Sequence, residues 1–224
     1  MPVLQISRQP EALAWFDSVR GQPLLAAEQA AIGAAMASRP AQLPWLWLAP
    51  RASSAGTSGL PPRTLLLHRQ QDRFSGSLRC GLPLPLPNES IGNLVVQHVL
   101  DDGSEGLLDE CARVLEPGGR LLLFTLNPWS PYRARWRNSG LVARDVQGWR
   151  KTLRGLGLQP CVGAVDYLGP VWRMASDPAG PASQAKPAAG RLRAACLLEF
   201  EKRSAALIPP APVSRRWQAG ATPA

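Results

Sequence analysis

Apolar positions divide the chain into short runs of two different periods. Between Glu11 and Ser38 they fall at Leu13, Trp15, Phe16, Leu24, Leu25, Ile32 and Met36, with Gly21 and Pro23 interrupting. That spacing predicts two helices, the second from about Pro23 to Ala37. Leu43 to Ala49, L-P-W-L-W-L-A, is apolar and flanked by Pro44 and Pro50, the length of a buried first strand. A Ser, Gly and Pro-rich loop at Arg51 to Pro62 leads to a second short strand, Thr64 to His68, and the polar stretch Arg69 to Gly81 then connects to L-P-L-P-L-P at Leu82 to Pro87. Asn93 to Leu100 has the β-branched density of a central strand.

Gly106 to Leu115 repeats apolar residues at Leu107, Leu108, Cys111, Val114 and Leu115, a one-sided helix that Gly118 and Gly119 are expected to end. Arg120 to Leu126 is apolar through its middle, as a strand covered on both faces should be. Strand, helix and strand within one crossover length predict a parallel sheet. Asp145 to Leu156 offers a further helix, and Leu158 to Tyr167 with Arg193 to Lys202 a final strand pair. Ala175 to Gly190, built of Ala, Pro, Ser and Gly, reads as a flexible excursion, and the basic tail from Pro209 as disordered. The expected organisation is a helical extension over residues 1–41, an α/β domain over 42–208 and a tail over 209–224.

Composition narrows the partners. The 224 residues suffice for one domain with a sizeable core. Twenty-five basic against 16 acidic residues leave a net charge of +9, which favours an anionic partner: nucleic acid, a phosphorylated metabolite or a membrane surface. Cys80, Cys111, Cys161 and Cys196 form no C-x-x-C pair, and His68 and His98 are the two histidines, so zinc, thiol-redox and His-rich metal sites are not expected. The cysteines read as buried thiols in a reducing compartment. With neither a signal-peptide pattern nor an apolar run near the roughly 20 residues that span a bilayer, a soluble cytoplasmic protein is expected.

Two blocks carry a family resemblance: L-P-L-P-N-E-S-I-G-N-L-V-V-Q-H-V-L-D-D at Leu84 to Asp102, and L-L-D-E-C-A-R-V-L-E-P-G-G-R-L-L-L-F at Leu107 to Phe124. In order and spacing they resemble the second half of class I S-adenosylmethionine-dependent methyltransferases of the type 11 group. W-F-D-S-V-R-G-Q-P-L-L-A-A-E-Q near the N-terminus and T-L-N-P-W-S-P-Y-R after the glycine-turn strand are similar to a small bacterial subgroup. The resemblance implies a doubly wound, mostly parallel seven-stranded α/β sheet ending in a β-hairpin, with S-adenosylmethionine as cofactor. It places the cofactor at Leu48, Ala49 and Arg51 after the first strand, at His68 after the second, at Cys80 before the L-P turn and at Gln97 after the fourth. The family's own residues differ there. Trp47, Ala49, Arg51 and Ser53 stand where an acid and three glycines let the backbone approach the methionine portion closely. His68 or Arg69 replaces the carboxylate that accepts from the ribose hydroxyls, and Cys80 an adenine-reading Asp. Each lost charge-assisted hydrogen bond costs roughly 1.5–3 kcal/mol, so three together offset most of a micromolar affinity of about 8 kcal/mol. A glycine loop at Ala55 to Gly59 could partly substitute.

Three further groups bear on chemistry. His98 and Asp101, on the rim that faces the transferred methyl in the family, are candidates for a general base; Asp101 or Asp102 as a helix N-cap is the structural alternative. Asn127, Trp129 and Tyr132 could line a substrate pocket at the end of a strand, or form a simple turn. Seven basic residues between Tyr132 and Arg154, with Trp136 and Trp149 interleaved and Asp145 the one acid, could grip nucleic acid, or be a solvated helix face over the core. Three functions stay open: a methyltransferase of unknown substrate, a methyltransferase-fold binding or regulatory module without cofactor, and an RNA-associated protein.

Overall fold

A computed structural model describes residues 12–38, 42–52, 60–103, 106–161, 165–171 and 190–203. Ser53, the Ala55 to Gly59 loop, the excursion through residue 189 and the tail from Pro209 lie outside the described residues.

A 3₁₀ turn at Ala12–Asp17 precedes helix α1 (Gln22–Ser38); strands β1 (Trp45–Ala49), β2 (Thr64–Gln70), β3 (Arg73–Gly76) and β4 (Ile91–Gln97) follow. Helix α2 (Leu107–Val114) runs directly into β5 (Leu115–Leu126). A second 3₁₀ turn at Pro131–Arg135 leads to α3 (Val146–Gly155), β6 (Leu158–Pro160), β7 (Asp166–Val171) and β8 (Arg193–Lys202). The strand order is β3-β2-β1-β4-β5-β8-β6, parallel from β2 to β5 and antiparallel outside. β6 pairs with β8 at Phe200 to Lys202 and β7 with it at Arg193 to Leu197. The two therefore lie end to end along one edge of β8, and eight strands fill the expected seven positions.

Strand alternation distributes the core. Leu46 and Leu48 of β1, Leu94 and Val96 of β4, and Leu121 and Leu123 of β5 face α2 and α3, meeting Leu107, Leu108, Cys111, Trp149 and Leu153. Trp47, Val95, Leu122 and Phe124 face the other way, onto Ile32 and Met36 of α1. Toward the carboxyl ends the same side is closed by Phe16, Leu24, Leu25, Tyr132 and Trp136. Both faces of the sheet are covered, as a doubly wound sheet requires.

Two expectations are corrected. The polar stretch Arg69 to Gly81 contains a strand, β3, anchored by the fully buried Phe74 and paired antiparallel to β2. Gly118 and Gly119 do not end α2, which stops at Val114: Leu115 already pairs with Ile91, and the two glycines lie within β5 at a register shift. Gly118 takes φ +81°, and a Cβ on Gly119 would sit 2.8 Å from the Gly92 carbonyl, so the turn needs glycine at both positions.

Candidate functional site

The carboxyl ends of β1, β4 and β5 converge on a fully buried polar cluster. The buried stripe of α1 is Leu24, Leu25, Glu28, Ile32 and Met36, so helical spacing turns Glu28 inward with the apolar residues. Gln97 ends β4. His98 follows it with φ +53°, a left-handed backbone that costs a non-glycine residue about 1–3 kcal/mol and turns its ring under the helix. His98 Nε2 lies 2.7 Å from Glu28 Oε1 and Nδ1 lies 2.7 Å from Asp101 Oδ2. Trp47 Nε1 donates to Gln97 Oε1 at 3.2 Å, and Gln97 Nε2 donates to Glu28 Oε2 at 2.9 Å. On the far side Trp149 Nε1 donates to Thr125 Oγ1 at 3.2 Å, and Thr125 donates to Asp101 Oδ1 at 2.7 Å. The Leu126 amide donates to Asp101 Oδ2.

These directions assign the protons. An indole N–H can only donate, so Gln97 turns its amide NH₂ toward Glu28 and Thr125 its hydroxyl toward Asp101. Both carboxylates are acceptors, and His98 donates from both nitrogens as an imidazolium. Burial pulls the His98 pKa down, but the Glu28 charge and the hydrogen bonds to Asp101 and Glu28 outweigh it and raise it to about 10. Burial pushes Asp101 up from the usual carboxylate range, while His98, Thr125 and the Leu126 amide hold it back. Phe16 stacks on the imidazolium, ring centroids 4.6 Å apart, and closes the cluster from above. A cation with both N–H groups engaged has no lone pair for an incoming proton.

An open trough lies beside this cluster, at the carboxyl ends of β1 and β2. Its smaller part, about 320 Å³, lies between Asp17, Arg51, His68 and Gln70; the larger, about 990 Å³, continues past Arg51 and Gln70 to Asp72, Phe74, Arg79 and Cys80. Arg51 Nε donates to Asp17 Oδ2 at 2.6 Å across the wall, both side chains 38% exposed. His68 is held below its ordinary pKa, first by burial and then by Arg51. Arg69, 9% exposed, braces the floor: its guanidinium lies over Phe74 and within 3.7 Å of Asp102. Burial raises the Cys80 thiol, and Cys80 exchanges backbone hydrogen bonds with Phe74.

The structure thus separates the residues that the sequence places at the cofactor. Arg51, His68 and Cys80 line the trough, whereas Leu48 and Ala49 are core residues of β1 and Gln97 belongs to the buried cluster. Neither Asp101 nor Asp102 caps α2, whose N-cap is Gly106; Asp101 instead accepts from β5. Asn127 Nδ2 donates to the Arg191 and Arg193 carbonyls, and the Tyr132 hydroxyl to the Arg20 carbonyl, while Trp129 is 81% exposed. Trp136 and Trp149 are buried, so neither offers a ring to a nucleobase. Glu28, Asp17 and Thr125 escape the sequence reading. For Glu28 a signal exists, since an acid at a buried position of an apolar helical stripe needs a partner.

No family model and no curated protein matches the chain. Solved structures do. A chain of the complex formed with the Haloferax volcanii Trm112 methyltransferase activator matches with a TM-score of 0.51 at 14% identity, over 87% of this chain and 98% of that one. Burkholderia thailandensis 1,6-didemethyltoxoflavin-N1-methyltransferase, solved with S-adenosylhomocysteine, matches with a TM-score of 0.52 at 13% identity, over 91% and 93%. A SAM-dependent methyltransferase from Archaeoglobus fulgidus matches with 0.50 at 10% identity, over 78% and 94%. The fold is that of the class I methyltransferases.

Proposed function

We propose that the chain is an S-adenosylmethionine-dependent methyltransferase of the type 11 group. One observation carries the reading: an open trough at the carboxyl ends of β1 and β2, the crevice where an open α/β sheet takes its ligand, holds the Arg51–Asp17 pair. The charges fit the cofactor's zwitterionic amino-acid end, Arg51 meeting the carboxylate and Asp17 the ammonium. Gln70 and Asp72, in the lining of the trough, are acceptors for a ribose diol, and Cys80 lies at its far end for the adenine. When bound, the cofactor supplies an electrophilic methyl on a sulfonium.

The protein's part is to hold and orient. Arg69 fixes the end of β2 against the loop after β4 through Asp102. The Glu28–His98–Asp101 cluster fixes the end of β4, and we assign His98 and Asp101 to positioning there, with proximity supplying most of the rate. A second reading, a binding module without catalysis, is favoured by the complete burial of Gln97, His98 and Asp101 beneath Phe16 and Glu28.

Isothermal calorimetry with S-adenosylmethionine and S-adenosylhomocysteine tests the choice. Binding is expected, and Arg51→Ala weakens it roughly tenfold or more, the scale of one charge-assisted hydrogen bond. Heat absent at millimolar ligand would sink the enzyme reading in favour of the second.

A further inference from the structure

Trp129 is the one aromatic ring that stands in solvent among the described residues, 81% exposed, and its backbone is held from both sides. The Trp129 amide donates to Asn127 Oδ1, Asn127 Nδ2 donates to the Arg191 and Arg193 carbonyls at 2.8 Å, and Ser130 Oγ donates to the Leu192 carbonyl at 2.7 Å. Two residues beyond Ser130, the Tyr132 hydroxyl donates to the Arg20 carbonyl at 2.8 Å. Three chain segments, around residues 20, 130 and 192 and separated by 62 to 112 positions in these bonds, thus meet at the carboxyl end of β5. They bring together Trp129, Leu192 and Val19, all exposed, with the exposed Arg20, Arg133 and Arg191.

The charge there has one sign. Residues 18–27, 127–144 and 190–198 contain no Asp or Glu, and every basic residue in them is arginine. A guanidinium matches a phosphate in two-point geometry and stacks on rings, which an ammonium does not. The apolar component is a projecting indole set among guanidiniums, not a continuous stripe that could sink into a bilayer. Indole face and flanking phosphate-binding forks are what a single-stranded nucleic acid engages: a base stacks and the adjoining phosphodiesters are neutralised. The 3₁₀ turn at Ala12–Asp17 joins this face to the cofactor trough, since Ala14 and Asp17 line the trough and Trp15 Nε1 donates to the Arg135 carbonyl.

We propose that the face around Trp129 binds single-stranded nucleic acid, with Trp129 stacking on a base and Arg20, Arg133 and Arg191 contacting the phosphates. The proposal stands independently of the methyltransferase reading. Of the basic segment from Tyr132 to Arg154 it retains Arg133, and it replaces the buried Trp136 and Trp149 with the exposed Trp129.

Fluorescence anisotropy of the full chain with labelled single-stranded RNA and DNA oligonucleotides, across a salt series, is the test. Binding should weaken with salt by about 0.7 in logarithmic slope per phosphate contacted. Trp129→Ala should weaken it about tenfold, in the range of a lost base stack, and Arg133→Ala with Arg191→Ala should lower the salt slope by one to two units. All three side chains are exposed, so circular dichroism should show the variants folded. Binding unchanged in both variants overturns the proposal, as does no binding at low salt. Trp129-dependent binding to phosphatidylserine vesicles, with the oligonucleotides silent, overturns it in favour of a membrane.

Discussion

At the scale of single residues, the buried imidazolium dominates. His98 has an ordinary pKa of 6.5, raised to about 10 in the folded protein, so its contribution to stability is fully present below the unfolded value and is lost as pH rises through the folded one. Urea denaturation should therefore show stability falling between about pH 6.5 and 10, and His98→Asn should flatten that fall relative to the parent. Asp101, also raised, changes stability in the same sense at the acid end, favouring the folded state below the pH at which it ionises. Glu28→Ala removes one of the two carboxylates facing the imidazolium inside a dry core. Breaking a buried pair this way costs about 3–5 kcal/mol, which the urea midpoint would report as a lower value at unchanged m. The cluster was only half legible in the sequence. Gln97, His98 and Asp101 stand out as polar residues at the end of an apolar strand, but their partner Glu28 sits 70 residues away from His98. No local spacing points from one to the other.

At the scale of elements, what was legible follows burial on both faces. β1, β4 and β5 are apolar throughout their middles because helices cover each side, and they can be read without their neighbours. β3 could not be, since its four residues bury only Phe74 and exist as a strand through pairing with β2. The final strand pair was legible as apolar segments, but not the division of one edge of β8 between β6 and β7. Gly169 of β7 illustrates what pairing and packing impose together. It takes φ +81°, and a Cβ there would lie 2.4 Å from Leu24 Cδ1, a fully buried side chain of α1. Gly169→Ala should cost about 1–3 kcal/mol, the scale of left-handed strain with a displaced core neighbour, measured by thermal unfolding.

For the whole molecule, the segment of residues 12–38 is part of the core. Phe16, Leu24, Ile32 and Met36 cover one face of the sheet, and Glu28 neutralises the cation beneath. A chain beginning at residue 39 should expose Trp47, Phe124 and Leu126 and leave His98 with one partner; near-ultraviolet circular dichroism is expected to show lost tertiary packing. The sequence by itself determined the order of the main strands and helices, β3 and the division between β6 and β7 excepted, through apolar runs whose period is local. It also determined the glycine-poor composition at the start of the loop after β1 and the basic balance, which are matters of composition and position. Only the tertiary structure decided that Arg51 meets Asp17 across an open trough, that Glu28, His98 and Asp101 close into one buried cluster, and that Trp129 rather than Trp136 or Trp149 faces solvent. The physical reason is the same in each case: charge pairing and exposure depend on which distant segments are packed together, and a one-dimensional pattern records only the neighbours along the chain.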